Sequence, residues 1–84
     1  MTSSPELDPE AVRIGATIKS LREAYGWKLG ELAKAIDRSH AYLSNIENGR
    51  KRAPVPLCST IATVLKVPLA AIVSAEYAEA AERA

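Results

Sequence analysis

An all-α fold, a compact bundle of four to five short helices, is what this sequence predicts, and three observations predict it. Apolar residues recur at three- and four-residue spacing in one segment after another. Glycine, proline, serine and aspartate stand where such segments would start or stop. No segment keeps up the apolar–polar alternation of a half-buried strand. The chain has 84 residues, one domain's worth, and its 19 Leu, Ile and Val can fill a single core. Little is left over to wall the deep pocket that most enzymes need.

The first helix is predicted from Pro9. Asp8 is placed to cap it, Pro9 suits the first helical position, and Leu7 can staple against Val12. Ile14, Ile18, Leu21 and Tyr25 then mark one face, and Gly26 suits the left-handed residue that ends such a helix. A short second helix carries Leu29, Leu32, Ala33 and Ile36 inward and breaks at Asp37-Arg38. Ser39 caps a third, from His40 to about Asn48, with Leu43 and Ile46 inward and Gly49 as its stop. So short a link between the second and third helices favours a steep crossing over an antiparallel hairpin.

Residues 49–56 read as a basic loop with Pro54 and Pro56. A fourth helix takes Leu57, Ile61, Val64 and Leu65 inward, and Pro68 marks its end or the start of a fifth. That fifth segment sets Leu69, Ile72, Val73, Tyr77 and Ala80 in one stripe, with a Glu79-to-Arg83 pair at i, i+4. The expected organisation is a flexible arm at 1–8, a domain at 9–74 and a helical extension or tail at 75–84.

The formal net charge is +1, but its distribution is uneven. Residues 1–10 hold three acids and no base, and residues 76–84 hold three acids and one base. The stretch 11–75 therefore carries ten Lys/Arg against four Asp/Glu, a net of +6. A single cysteine, Cys58, makes no internal disulfide and has no neighbours at metal-ligand spacing, which fits a reducing compartment. The longest mostly apolar run, Ile61 to Val73, is too short for a bilayer, and the first residues lack the pattern of a signal peptide. The expectation is a cytoplasmic protein without metal, small-molecule cofactor or membrane partner. An enzyme would have to use Asp37, His40 and Ser44, which the predicted fold leaves on an exposed helix with no oxyanion donors; the reading is that the protein is not an enzyme.

Two short helices joined by a tight turn, a polar outer face on the second and a basic loop behind it are the parts of a helix-turn-helix DNA reader. A helix fits the major groove, where each base pair shows its own donor–acceptor pattern. Cations at the groove's edges hold phosphates and set the register. On this logic His40, Ala41, Ser44 and Asn45 are candidates for base contact, since Asn pairs with adenine in two bonds and an Ala methyl meets a thymine methyl. The competing reading is an ordinary solvated helix face. Arg50, Lys51 and Arg52 are candidates for phosphate contact, with Lys28, Arg38 and Tyr42 beside them; a merely soluble charge run is the alternative.

The residues Gly26-Trp27, Glu31-Leu32-Ala33, Ser39 to Gly49, Ile61-Ala62 and Leu65 to Leu69 resemble the Xre/Cro/cI-type helix-turn-helix family, over roughly residues 13–73. The Leu-Ser-x-Ile-Glu-x-Gly run at Leu43 to Gly49 is the most specific part. The resemblance implies a lambda-repressor-like DNA-binding domain with a central helix-turn-helix, acting on double-stranded DNA, mostly as a homodimer. It also implies a fold-holding ion pair between Arg22 and Glu47, and a packed Trp27. Departures lie at Lys28 and Leu29, where the family usually has Ser or Thr and a phosphate-binding glutamine, and at Asp37-Arg38, usually Gly-Val.

The resulting expectation is a sequence-specific transcriptional regulator of repressor type on a palindromic operator. Leu69, Ile72, Val73 and Tyr77 form the candidate dimer surface; alternatively, Leu69 and Ile72 merely close the core. The rival from another class is a protein-interaction module, such as an antitoxin that neutralises a partner with DNA binding secondary. The basic loop discriminates, because a pure interaction module has no need of Arg50-Lys51-Arg52 beside the third helix.

Overall fold

The structure is a computed structural model, and it describes residues 8–74. Helix α1 is Pro9–Ala24, α2 is Leu29–Ala35, α3 is His40–Glu47 and α4 is Val55–Leu65; a 3₁₀ turn, Leu69–Ala71, follows. The described residues contain no strand, and the all-α bundle read from the apolar spacing is the observed fold. No helix among them is long and apolar enough to cross a membrane.

The starts of α1 and α3 form as their capping chemistry requires. Asp8 accepts from the Glu10 N–H at 3.1 Å, with Pro9 in the first turn. Ser39 accepts from the Tyr42 N–H at 3.0 Å. Lys28, before α2, has no acceptor to offer; Glu31 reaches back instead and takes the Lys28 N–H at 2.9 Å. Helix α4 begins two residues earlier than the expected Leu57. Pro54 precedes it and Pro56 falls in its first turn, where a missing N–H leaves no bond unmade.

All four helices close alike. Each ends on a left-handed residue, which follows the cap in the first three (Gly26, Asp37, Gly49) and is the cap itself in α4 (Lys66), and its N–H and the next one bond back into the last turn. At Asp37, φ is 59°, and the Asp37 and Arg38 amides reach the Lys34 and Ala33 carbonyls at 3.1 and 2.9 Å. The turn between α2 and α3 thus survives without glycine, because a short polar side chain tolerates this region. Two positions depart from the apolar pattern. Tyr25 stands just past α1 and is 55% exposed, its inward place taken by Arg22. Val12 is also exposed, and its proposed partner Leu7 lies outside the described residues.

The core gathers Ile14 and Ile18 from α1, Leu32, Ala33 and Ile36 from the second helix and its cap, and Leu43 and Ile46 from α3. Leu57, Cys58, Ile61, Ala62 and Leu65 join from α4, with Trp27, Tyr42 and Leu69 packed at its margin. Ile72 and Val73 belong to the same core, 1% and 2% exposed. That corrects their assignment to a dimer surface: after the 3₁₀ turn at Leu69–Ala71 both side chains lie in the core cluster with the inward residues of the four helices. Leu69 is half-buried, and Tyr77 lies outside the described residues, as do Ala80, the Glu79–Arg83 pair and the first seven residues.

Candidate nucleic-acid interface

Helix α3 is only eight residues long, too short to hold itself in water, so its direction is set by its neighbours. Two contacts with α1 set it. At Gly15 the helices touch backbone to backbone: a Cβ there would lie 2.0 Å from the Ile46 carbonyl oxygen. About two turns on, Arg22 donates to both carboxylate oxygens of Glu47, Nε to Oε2 at 2.7 Å and Nη2 to Oε1 at 3.0 Å, and Nη1 donates to the Trp27 carbonyl at 2.9 Å. Both side chains are nearly buried, at 10% and 5% exposure. Hydrogen bonding to Glu47 raises the Arg22 pKa further, so the guanidinium stays charged throughout the accessible pH range.

With Leu43, Ile46 and Glu47 turned inward, the opposite side of α3 faces out. His40 and Ala41 are exposed there, and Ser44 and Asn45 are half-exposed. These four are the residues the sequence offered for base contact, and the structure brings them to one side of one helix. Asn48, which the sequence reading passed over, donates to the Ser44 hydroxyl at 3.3 Å and so holds one of the four. Asp37 and His40 also line a shallow groove of about 420 Å³, with Gly30, Ala33, Lys34, Arg38 and Ser39. Ser44 is absent from its lining, so the three residues an enzyme would have used do not meet in it.

The candidate phosphate contacts separate into three groups. Arg38, from the α2–α3 turn, and Lys51, from the loop after α3, both lie against the half-buried ring of Tyr42, 5.2 and 5.5 Å from its centroid. Lys28 and Arg50 are exposed. Arg52 turns away to the start of α1, where Nε donates to Asp8 Oδ2 at 2.7 Å and Nη2 bonds the same oxygen. In the free protein Arg52 is therefore engaged with a carboxylate. Asp8, already fixed by capping α1, is held below the usual carboxylate range, chiefly by that bond. Asp8 thus both caps α1 and ties its start to the loop after α3. Nothing local in the sequence joins positions 8 and 52. Cys58 is fully buried, which raises its thiol pKa from 9.0 to about 11, and no group of three or more His, Cys, Asp or Glu among the described residues could hold a metal.

Comparison with known proteins adds to this geometry. A family model for a helix-turn-helix domain matches residues 13–73. The chain is 40% identical over 57 residues to the ImmF control region 10 kDa protein of Bacillus phage phi105, covering 68% of this chain and 63% of that protein. The matches span 34–63% of the length of the curated relatives. Among solved structures, the clp gene regulator ClgR from Corynebacterium glutamicum superposes with a TM-score of 0.73 at 28% identity, covering 93% of this chain and 87% of that one. SinR, a master regulator for biofilm formation solved in complex with DNA, gives 0.61 at 33% identity, covering 67% and 90%.

Proposed function

Because the chain belongs to the helix-turn-helix domain family, we propose that it is a sequence-specific, double-stranded DNA-binding transcriptional regulator of repressor type, acting in the cytoplasm. The observation that carries this is the outer side of α3: His40, Ala41, Ser44 and Asn45 together, with Arg38 and Lys51 at its edge and no carboxylate paired to either cation among the described residues. The helix enters the major groove, those four residues meet base edges, and Lys28, Arg38, Arg50 and Lys51 meet phosphates, with the ring of Tyr42 beside Arg38 and Lys51. Arg52 joins them by exchanging Asp8 for a phosphate. The protein acts as a dimer on a palindromic site with half-sites about 34 Å apart.

Binding to duplex DNA measured against salt tests the reading. Affinity should fall by roughly 0.9 log units per tenfold salt for each phosphate neutralised. Asn45→Ala should lose about 1–3 kcal/mol of discrimination at one base position, whereas Lys51→Ala should weaken cognate and scrambled sites alike. Failure to bind random and selected genomic fragments at any salt overturns the proposal. Equal losses on both kinds of site for both variants remove Asn45 from the reader's role.

A further inference from the structure

The cations of the described domain are not equivalent. Arg13 pairs with Glu10, Arg22 with Glu47 and Arg52 with Asp8. Arg38 and Lys51 have no such partner among the described residues. They come from different segments, one before α3 and one after it, yet both stand within 5.5 Å of the centroid of the same ring. The electron-rich ring of Tyr42 attracts both cations, so segments before and after α3 bring their charges to one residue. A phosphate oxyanion set beside that residue would be attracted by both.

The ring itself is well fixed. Tyr42 is half-buried and packs against the core, and its backbone N–H is held by Ser39. A long Arg or Lys side chain loses rotamer freedom when it docks on a partner, and this ring removes part of that freedom beforehand.

We propose that Arg38, Lys51 and the ring of Tyr42 form one oxyanion clamp for a DNA phosphodiester, with Tyr42 acting through its ring as a positioning residue. This rests on the DNA-binding reading, and it deepens that reading by making two separate contacts and the ring beside them one cooperative unit. The phenol hydroxyl is then dispensable and the aromatic face is not.

Two measurements test it. In the free protein, NMR should find the Arg38 Hδ and Lys51 Hε protons shifted upfield by the ring, a shift retained in Tyr42→Phe and lost in Tyr42→Leu. Wild-type protein without that shift overturns the clamp while leaving the DNA reading intact. For binding to a labelled duplex at several salt concentrations, Tyr42→Phe should stay within about twofold of wild type. Tyr42→Leu should lose about tenfold on cognate and scrambled duplex alike, since ordering each freed side chain is worth roughly two- to tenfold. Equal losses for Phe and Leu would assign the role to the hydroxyl and overturn the proposal, as would an unchanged Leu variant. Should Tyr42→Leu melt, Arg38→Ala and Lys51→Ala decide: a clamp makes the double variant lose less than the sum of the singles, and independent contacts simply add. Wild-type protein that binds no duplex at any salt removes the DNA reading and the clamp together.

Discussion

Replacing Gly15 with alanine sets two effects of opposite sign against each other. Position 15 lies inside α1, where alanine gains about 1 kcal/mol of helix propensity over glycine. The new Cβ, however, would stand 2.0 Å from the Ile46 carbonyl oxygen and 3.1 Å from that of Glu47. Carbon and oxygen in ordinary close contact sit about 3.3 Å apart, so α1 and α3 would have to part by roughly 1.3 Å at this point. The obstacle is backbone, which cannot swing aside as a side chain does. Overpacking a tight site costs about 1–3 kcal/mol, and more where nothing flexible yields. The net expectation is a loss of about 2 kcal/mol, or a fall in Tm of about 8–16 °C for a domain of this size. Thermal unfolding followed by circular dichroism measures it. A Tm equal to or above wild type would mean that propensity wins, and the close approach of α1 and α3 would then not be what seats the helix.

Removing one partner of the Arg22–Glu47 pair should be still more damaging: Glu47→Ala leaves a nearly buried guanidinium uncompensated, at about 3–5 kcal/mol by urea unfolding, while Arg22→Met/Glu47→Leu recovers most of the loss. A Glu47→Ala cost below about 1 kcal/mol would place the pair with ordinary surface bridges. Asp8→Asn keeps a capping side chain but removes the carboxylate charge that competes with phosphate for Arg52, so duplex affinity should rise on cognate and scrambled sequences alike; an unchanged affinity would show that Arg52 does not exchange Asp8 for a phosphate. The lowered pKa of Asp8 means that its pairing favours the fold above the ordinary value of 3.8 and fades as pH falls through the folded value, a step of the acid unfolding curve that the Asn variant should lack. The buried Cys58 thiol, raised to about 11, favours the fold below its free value of 9.0 and loses that contribution as pH climbs towards 11; Cys58→Ala should lessen alkaline destabilisation, and an identical alkaline limb would refute the assignment.

What could be read from the chain, and what could not, divides by the range of the interaction. Helix starts depend on one side chain and amides two or three residues on, so Asp8 and Ser39 were legible as caps and proved to be caps. Helix stops at Gly26 and Gly49 were legible for the same reason, and Asp37 kept the left-handed turn that its short polar side chain permits. The outward set of α3 followed from spacing. Gly15 carried only a weak signal, a glycine inside a helical pattern, which hints at a close approach without saying to what. Pairs such as Asp8–Arg52, 44 residues apart, leave no local trace at all. Ile72 and Val73 were misplaced because the stripe they share with Tyr77 presumes a regular helix. The chain instead makes a 3₁₀ turn at Leu69–Ala71, and spacing cannot tell an apolar face turned to a partner from one turned to its own core.

The same division of range bears on function. Helix α3 has too few residues to be stable alone, so the direction of His40, Ala41, Ser44 and Asn45 is inherited from the far side of the same helix, through Gly15 against Ile46 and Arg22 against Glu47. Burial on one side fixes presentation on the other. Substitutions at Gly15, Arg22 or Glu47 should therefore weaken binding to cognate and scrambled DNA together, and in proportion to lost stability. A change at Asn45 should alter discrimination while leaving Tm in place. A Gly15 or Glu47 variant that kept full stability yet changed base preference would break this separation, because it would mean that the inner side of α3 takes part in reading.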